Sequence, residues 1–230
     1  MIKTIAFDAD DTLWHNERMF VSIKEKYQNL LAAYHDADWV EQRLDEAETR
    51  NIPHFGYGVK GFALSLIETA VELTEGRITG SEIMEIVGYA REMLTYPVEL
   101  LEGVKETIED LSRSYNLMVI TKGDLFDQEG KLARSGIGDC FKAFEIIPQK
   151  NAKTYKYILR RHQIEAEEFV MVGNSLKSDI LPVIEIGARA VHIPYEIEWF
   201  HEMVSDDELR DKDFARIEKM SELPRWLSTF

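Results

Sequence analysis

Apolar and polar positions divide the chain into two kinds of segment. Short continuous apolar runs bounded by turn residues read as buried strands. They are Thr4-Ile5-Ala6-Phe7, Leu117-Met118-Val119-Ile120, Ala143-Phe144-Glu145-Ile146-Ile147, Phe169-Val170-Met171-Val172 and Ala188 to Pro194. Between the first two, from Asn16 to about Tyr96, the spacing is helical throughout. Glu17 to Ala33 carries Phe20, Ile23, Tyr27, Leu30 and Leu31 at three- and four-residue intervals. Asp38 is expected to cap a second helix running through Arg50, with Val40, Leu44 and Ala47 on one face. Tyr57 to Leu73 repeats the pattern with Phe62, Leu66, Ala70 and Leu73. Thr79 or Ser81 starts a fourth helix with Ile83, Ile86, Val87, Ala90 and Leu94. Four helices in sequence predict a small bundle. It interrupts an α/β domain just after its first strand. Further helices are expected up to about Ser112, from Glu129 to about Ser135 before Gly136, across Ile158-Leu159, and from Leu181 to Ile186 before Gly187. They alternate with the strands, as a parallel sheet requires.

The polar residues that matter stand where the strands stop. Asp8, Asp10 and Asp11 follow the first strand within four positions. Buried carboxylates are costly unless paired or bound to a cation, and ligands of open α/β sheets sit outside the carboxyl ends of the strands. A solvated turn or a helix cap would also explain three acids. A calcium loop would not: counted from Asp8, its glycine position is Leu13 and its terminal glutamate position is Met19. A phosphoreceiver domain would account for only about half of the chain. The second strand ends in Thr121, followed by Lys122 and Gly123; a hydroxyl and free N–H groups at such a point are good donors to a phosphoryl oxygen. Lys150 and Lys153 stand just before and at the start of a helix. The fourth strand ends in Gly173, then Asn174 and, five positions on, Asp179.

Composition narrows the field. At 230 residues with 45% hydrophobic positions, the chain suits one large or two small globular domains. No apolar run approaches the ~20 residues of a membrane span. Met1-Ile2-Lys3 leads at once into the acidic cluster, which does not suit a signal peptide. The single cysteine, Cys140, allows no intrachain disulfide, and a reducing cytoplasm is expected. A net charge of -15 argues against nucleic acid and anionic membranes as partners. It would also repel an anionic substrate, so a cation and local lysines would have to outweigh it. His15, His54 and His162 show no metal-ligand spacing and are expected to be structural or surface residues.

Taken in order, these clusters resemble the four motifs of the haloacid dehalogenase-like hydrolases over nearly the whole chain. D-x-D-x-T-L after a strand is similar to the first motif, Thr121 to the second, a lysine before a helix to the third, and Gly173 with Asp179 to the fourth. The resemblance implies an α/β, Rossmann-like parallel-sheet core formed by residues 1–14 and 97–230. It also implies an inserted α-helical cap of the C1 type, the four-helix bundle, at 15–96. Tyr96-Pro97 and the linker to Gly103 resemble the hinged return from cap to core. For the third motif, Lys153 fits by its distance from Ile158-Leu159, with Lys150 as the competing assignment; Thr154 stands where proline is frequent. Asn174 departs from the usual aspartate.

The activity implied is hydrolysis of a phosphomonoester, a small phosphorylated metabolite, by a Mg²⁺-dependent phosphatase. Asp8 is the implied nucleophile and Asp10 the acid and base. Thr121, Lys122 and Lys153 are the implied phosphate ligands, and Asp8, Asp10, Asn174 and Asp179 the metal site. Dehalogenases of the superfamily lack the second aspartate, so Asp10 favours phosphoryl transfer. Imine-forming phosphonate hydrolysis would need an early cap lysine, for which only Lys24 and Lys26 are available. A phosphomutase stays open, as does a catalytically weak phosphometabolite-binding protein, motivated by Asn174. Tyr57 and Lys60, in an irregular glycine-rich loop, are candidate substrate contacts from the cap.

Overall fold

Strand β1 (Thr4–Phe7) is buried along its whole length and lies inside a six-stranded sheet. The computed structural model describes residues 1–230. The other strands are β2 (Asn116–Thr121), β3 (Ala143–Ile146), β4 (Phe169–Gly173), β5 (Arg189–His192) and β6 (Ala215–Arg216). Their order is β3-β2-β1-β4-β5-β6, and every pairing is parallel. The order reverses beside β1, which places the ends of β1 and β4 at the switch point where such sheets bind ligands.

The chain forms two compact units, residues 1–17, 98–122 and 130–230, and residues 18–97 with 123–129. The first unit contains the sheet. Side chains alternate across each strand, so Ile5, Phe7, Val119 and Val172 pack with Trp14, Val104, Ile108 and Leu223 on one face. Ala6, Met118, Ile120 and Met171 pack with Tyr155, Ile158 and Val183 on the other. Both faces are therefore covered, and this is why the strands read as unbroken apolar runs. The helices of this unit are α5 (Val104–Leu111), the end of α6 (Leu125–Arg134), α7 (Ala152–Arg161), α8 (Leu181–Glu185), α9 (Asp206–Leu209) and α10 (Leu223–Leu227). A short strand before a final helix is seen at β6 and α10. The chain leaves and re-enters the sheet unit side by side: Leu101 N–H donates to Leu13 O at 3.0 Å and His15 N–H to Glu99 O at 3.0 Å.

The second unit holds α1 (Glu17–Leu31) from its second residue on, α2 (Ala37–Phe55), α3 (Val59–Leu73) and α4 (Gly80–Thr95). Ile23, Tyr27, Leu44, Phe62, Leu66 and Ile86 form its core. Thr79 caps α4 in a reciprocal box with Glu82. Three details differ from expectation. Asp36, not Asp38, caps α2, accepting from Trp39 N–H at 2.9 Å. That helix also runs past Arg50 to Phe55, so the expected loop shrinks to a few residues around Gly56 and Gly58. Segment 123–129, which the sequence assigns to the α/β part, belongs to this unit. Lys60 Nζ donates to both Asp124 carboxylate oxygens at 3.0 and 3.1 Å. A side chain at Gly58 would meet Asp124 N at 3.0 Å. No helix of the chain is long and apolar enough to cross a membrane.

Candidate active site

The carboxyl ends of β1, β2 and β4 assemble a charged cluster within the sheet unit. Asp8 follows β1 directly, held by its N–H to Val172 O at 2.9 Å. Its side chain is buried, and burial pushes its carboxyl up to about 7 against the pull of Lys150. Lys150 Nζ donates to Asp8 Oδ1 and, at 2.6 Å, to Asp179 Oδ1. Burial alone would lower this ammonium, but the charges of Asp179 and Asp8 raise it, so Lys150 stays protonated.

The structure thus brings Lys150 into the cluster and not Lys153. Asn151 caps α7, its side chain accepting from Thr154 N–H at 3.0 Å. Tyr155, Ile158 and Leu159 face the core, so Lys153, two positions before Tyr155, stands on the opposite face and is exposed. The lysine preceding the helix is the one before its cap. Asn151 with Thr154 was the signal for that boundary; the distance to Ile158-Leu159 misplaces it.

Asp179 is almost fully buried, with Ser175 N–H donating to its Oδ2 at 3.1 Å. It lies on a π-helical turn, Leu176–Ile180. Its carboxylate rests on Gly173, where an added Cβ would stand 2.2 Å from Asp179 Oδ2. Asn174 joins the first motif through Thr12. The Thr12 hydroxyl lies 3.3 Å from Asp8 Oδ2 and 3.1 Å from Asn174 Oδ1, and it accepts from Asn174 N–H at 3.1 Å. His192 Nε2 reaches Asn174 O at 2.9 Å.

Asp10 is held by two donors absent from the sequence expectation. Trp14 Nε1–H donates to its Oδ1 at 2.7 Å and Lys131 Nζ at 3.0 Å. Lys131 is buried and also donates to Asn16 Oδ1 at 2.8 Å. Asp11 has a different task. It adopts a left-handed backbone and accepts from the N–H groups of Asn16 and Glu17, where α1 starts. Burial pushes its carboxyl up to about 7.

Thr121 is buried at the end of β2, its hydroxyl directed to Lys122 O at 3.1 Å. The Lys122 ammonium lies against Glu202 and, at 3.0 Å, Ser178 Oγ. Glu202 also accepts from Ser175 Oγ and Ser178 Oγ. Burial would raise the Glu202 carboxyl, yet Lys122 and the two hydroxyls hold it below its usual range.

No three His, Cys, Asp or Glu side chains are gathered into a cage for a cation. The donors here are two carboxylates, Asp8 and Asp179, and the Asn174 amide. Oxygen-only donors, few of them charged, suit Mg²⁺, which keeps several waters and takes one or two carboxylates.

The cluster stands at the switch point of a 3-2-1-4-5-6 sheet, where folds of this class bind their ligands. Residues 2–187 match the haloacid dehalogenase-like hydrolase family, and the chain belongs to it. A haloacid dehalogenase-like family hydrolase from Xanthomonas campestris is 38% identical in sequence and superimposes with a TM-score of 0.88, over 99% of this chain and 91% of that one. Glyceraldehyde 3-phosphate phosphatase of Methanocaldococcus jannaschii is 28% identical, over 97% of each chain. The 5-amino-6-(5-phospho-D-ribitylamino)uracil phosphatase YigB of Escherichia coli is 23% identical, over 84% of this chain and 83% of its own.

Proposed function

We propose that this hydrolase is a Mg²⁺-dependent phosphatase that cleaves a small phosphorylated metabolite through an aspartyl-phosphate on Asp8. The observation that carries the proposal is the pair of differently held acids. Asp8 is buried against Lys150, while Asp10, two residues on, is held by Trp14 and Lys131. The names of the Methanocaldococcus and Escherichia relatives, both phosphatases of small phosphorylated compounds, support the substrate class.

An Asp8 oxygen attacks phosphorus as the ester P–O bond breaks, and protonated Asp10 gives its proton to the leaving oxygen. Water then attacks the aspartyl-phosphate, Asp10 takes a proton from it, and inorganic phosphate leaves with Asp8 restored. Thr121 and the N–H groups after β2 meet the phosphoryl oxygens. Lys150 replaces Lys153 in the expected set. It offsets the charge of Asp8 and Asp179 and fixes their orientation. Mg²⁺, held by Asp8, the Asp10 carbonyl, Asn174 and Asp179, would supply the positive charge that lets a carboxylate approach a phosphate. The helical unit serves as the cap.

The test is phosphate release from an aryl phosphate and a panel of metabolite phosphates, with Mg²⁺, with chelator, and in Asp8→Asn. Release that requires Mg²⁺ and disappears in Asp8→Asn is expected. No release from any substrate would point instead to a binding protein weakened by Asn174, and Asn174→Asp would then be tested for gain of turnover.

A further inference from the structure

The loop after β5 belongs to none of the four motifs, yet it is fastened to the site at several points. Tyr195 O–H and His15 Nδ1 are 2.7 Å apart. Lys177 Nζ donates to His201 O at 2.8 Å. Glu202 makes the central attachment. One carboxylate oxygen accepts from Ser175 and Ser178, and the other pairs with Lys122. Lys122 and Glu202 are largely shielded from solvent, with side chains 15% and 14% exposed.

The topology gives this contact its meaning. Lys122 follows β2, and Ser175 and Ser178 follow β4. These strands are the two neighbours of β1, which carries Asp8. Glu202 therefore ties together the exits of both strands flanking the nucleophile. On one side is the backbone next to Thr121, on the other the turn that presents Asp179. A surface salt bridge would contribute little. A shielded carboxylate with every bond donated by a residue of these two exits instead fixes their spacing.

We propose that Glu202 is a positioning residue for phosphoryl transfer, acting through Lys122 and the Ser175–Ser178 turn. This rests on the phosphatase function proposed above. It also gives Lys122 a different role from the phosphate ligand implied by the motif: its ammonium anchors the loop.

The test compares Glu202→Gln, Lys122→Met and the double variant with wild type, using aryl phosphate turnover with Mg²⁺ and inhibition by inorganic phosphate. Supporting partners of this kind typically matter about 10–100-fold. Each single variant is expected to lose kcat by about that factor, with KM and phosphate inhibition changed less than about twofold. The double variant should lose no more than the worse single, because the two residues act as one unit. A variant with the pair replaced by apolar groups, Lys122→Met with Glu202→Leu, is expected to fold even where Glu202→Gln does not, and to show the same loss. Full kcat in a folded variant, additive losses, or severalfold tighter phosphate inhibition in Glu202→Gln would overturn the assignment. The last outcome would show Lys122 released to bind the anion. A wild type that releases no phosphate would overturn the phosphatase function itself, and this assignment with it; an active wild type beside unaffected variants would overturn this assignment alone.

Discussion

Lys150 carries two carboxylates at once, and each would be a buried charge without it. Lys150→Met is expected to lower turnover about a hundredfold or more, whereas Lys153→Met, on the exposed face of α7, should stay within about twofold. Steady-state phosphate release of the two variants checks this. Gly173 is as demanding a position. A methyl group there would collide with the Asp179 carboxylate, which is packed against Lys150 and the Ser175 N–H. Gly173→Ala is expected to cost about 1–3 kcal/mol in thermal or denaturant unfolding, the usual range for overpacking, and to reduce turnover. Positions next to strand ends were legible from the chain itself: Asp8, Asp10, Thr121, Asn174 and Asp179 all stand at or just after the carboxyl ends of β1, β2 and β4. Lys131 and Glu202 were not. Lys131 reaches Asp10 across 121 positions and Glu202 reaches Lys122 across 80, and no local spacing announces such a partner.

Among the elements, helices followed from periodicity because their burial is periodic, and strands followed from unbroken apolar runs because both faces of the sheet are covered. Ends were harder to read, because a cap depends on one side chain's bond. The sequence pattern points to Asp38 as the cap of α2, whereas it is Asp36 that accepts from the α2 backbone. Asp36→Ala should cost about 1 kcal/mol in unfolding experiments, and Asp38→Ala clearly less. Within the helical unit, Glu48 of α2 is buried, with Lys24 Nζ 3.9 Å away. Burial pushes its carboxyl from 4.5 up to about 7. The fold therefore keeps a proton that the unfolded chain has released, and stability from this group is complete below 4.5 and lost as pH rises through about 7. Glu48→Gln should melt higher than wild type at pH ~8, by the equivalent of up to about 3 kcal/mol, and nearly together with it at pH ~5. Equal melting temperatures across this range would show that the carboxyl is ionised in the fold at no cost.

At the scale of the whole molecule, the charge of -15 opposes the phosphorylated substrate proposed for the site. The lysines that offset it, Lys122, Lys131 and Lys150, are already paired with carboxylates. Added salt should therefore help: kcat/KM for a phosphate ester is expected to rise as ionic strength goes from about 10 to about 150 mM at fixed Mg²⁺, as screening weakens long-range repulsion. A fall over that range would indicate a locally positive approach. The division of the chain into units has its own consequence. The helical unit comprises two separate stretches, 18–97 and 123–129, the second joined to the first by Lys60 and Asp124. Recombination that exchanged only the long stretch between relatives would carry Gly58 and Lys60 into a host that retained its own residues around Asp124. The unit would then be inherited whole only when two pairs of breakpoints moved together, which binds it to the turn and the start of α6 that follow β2.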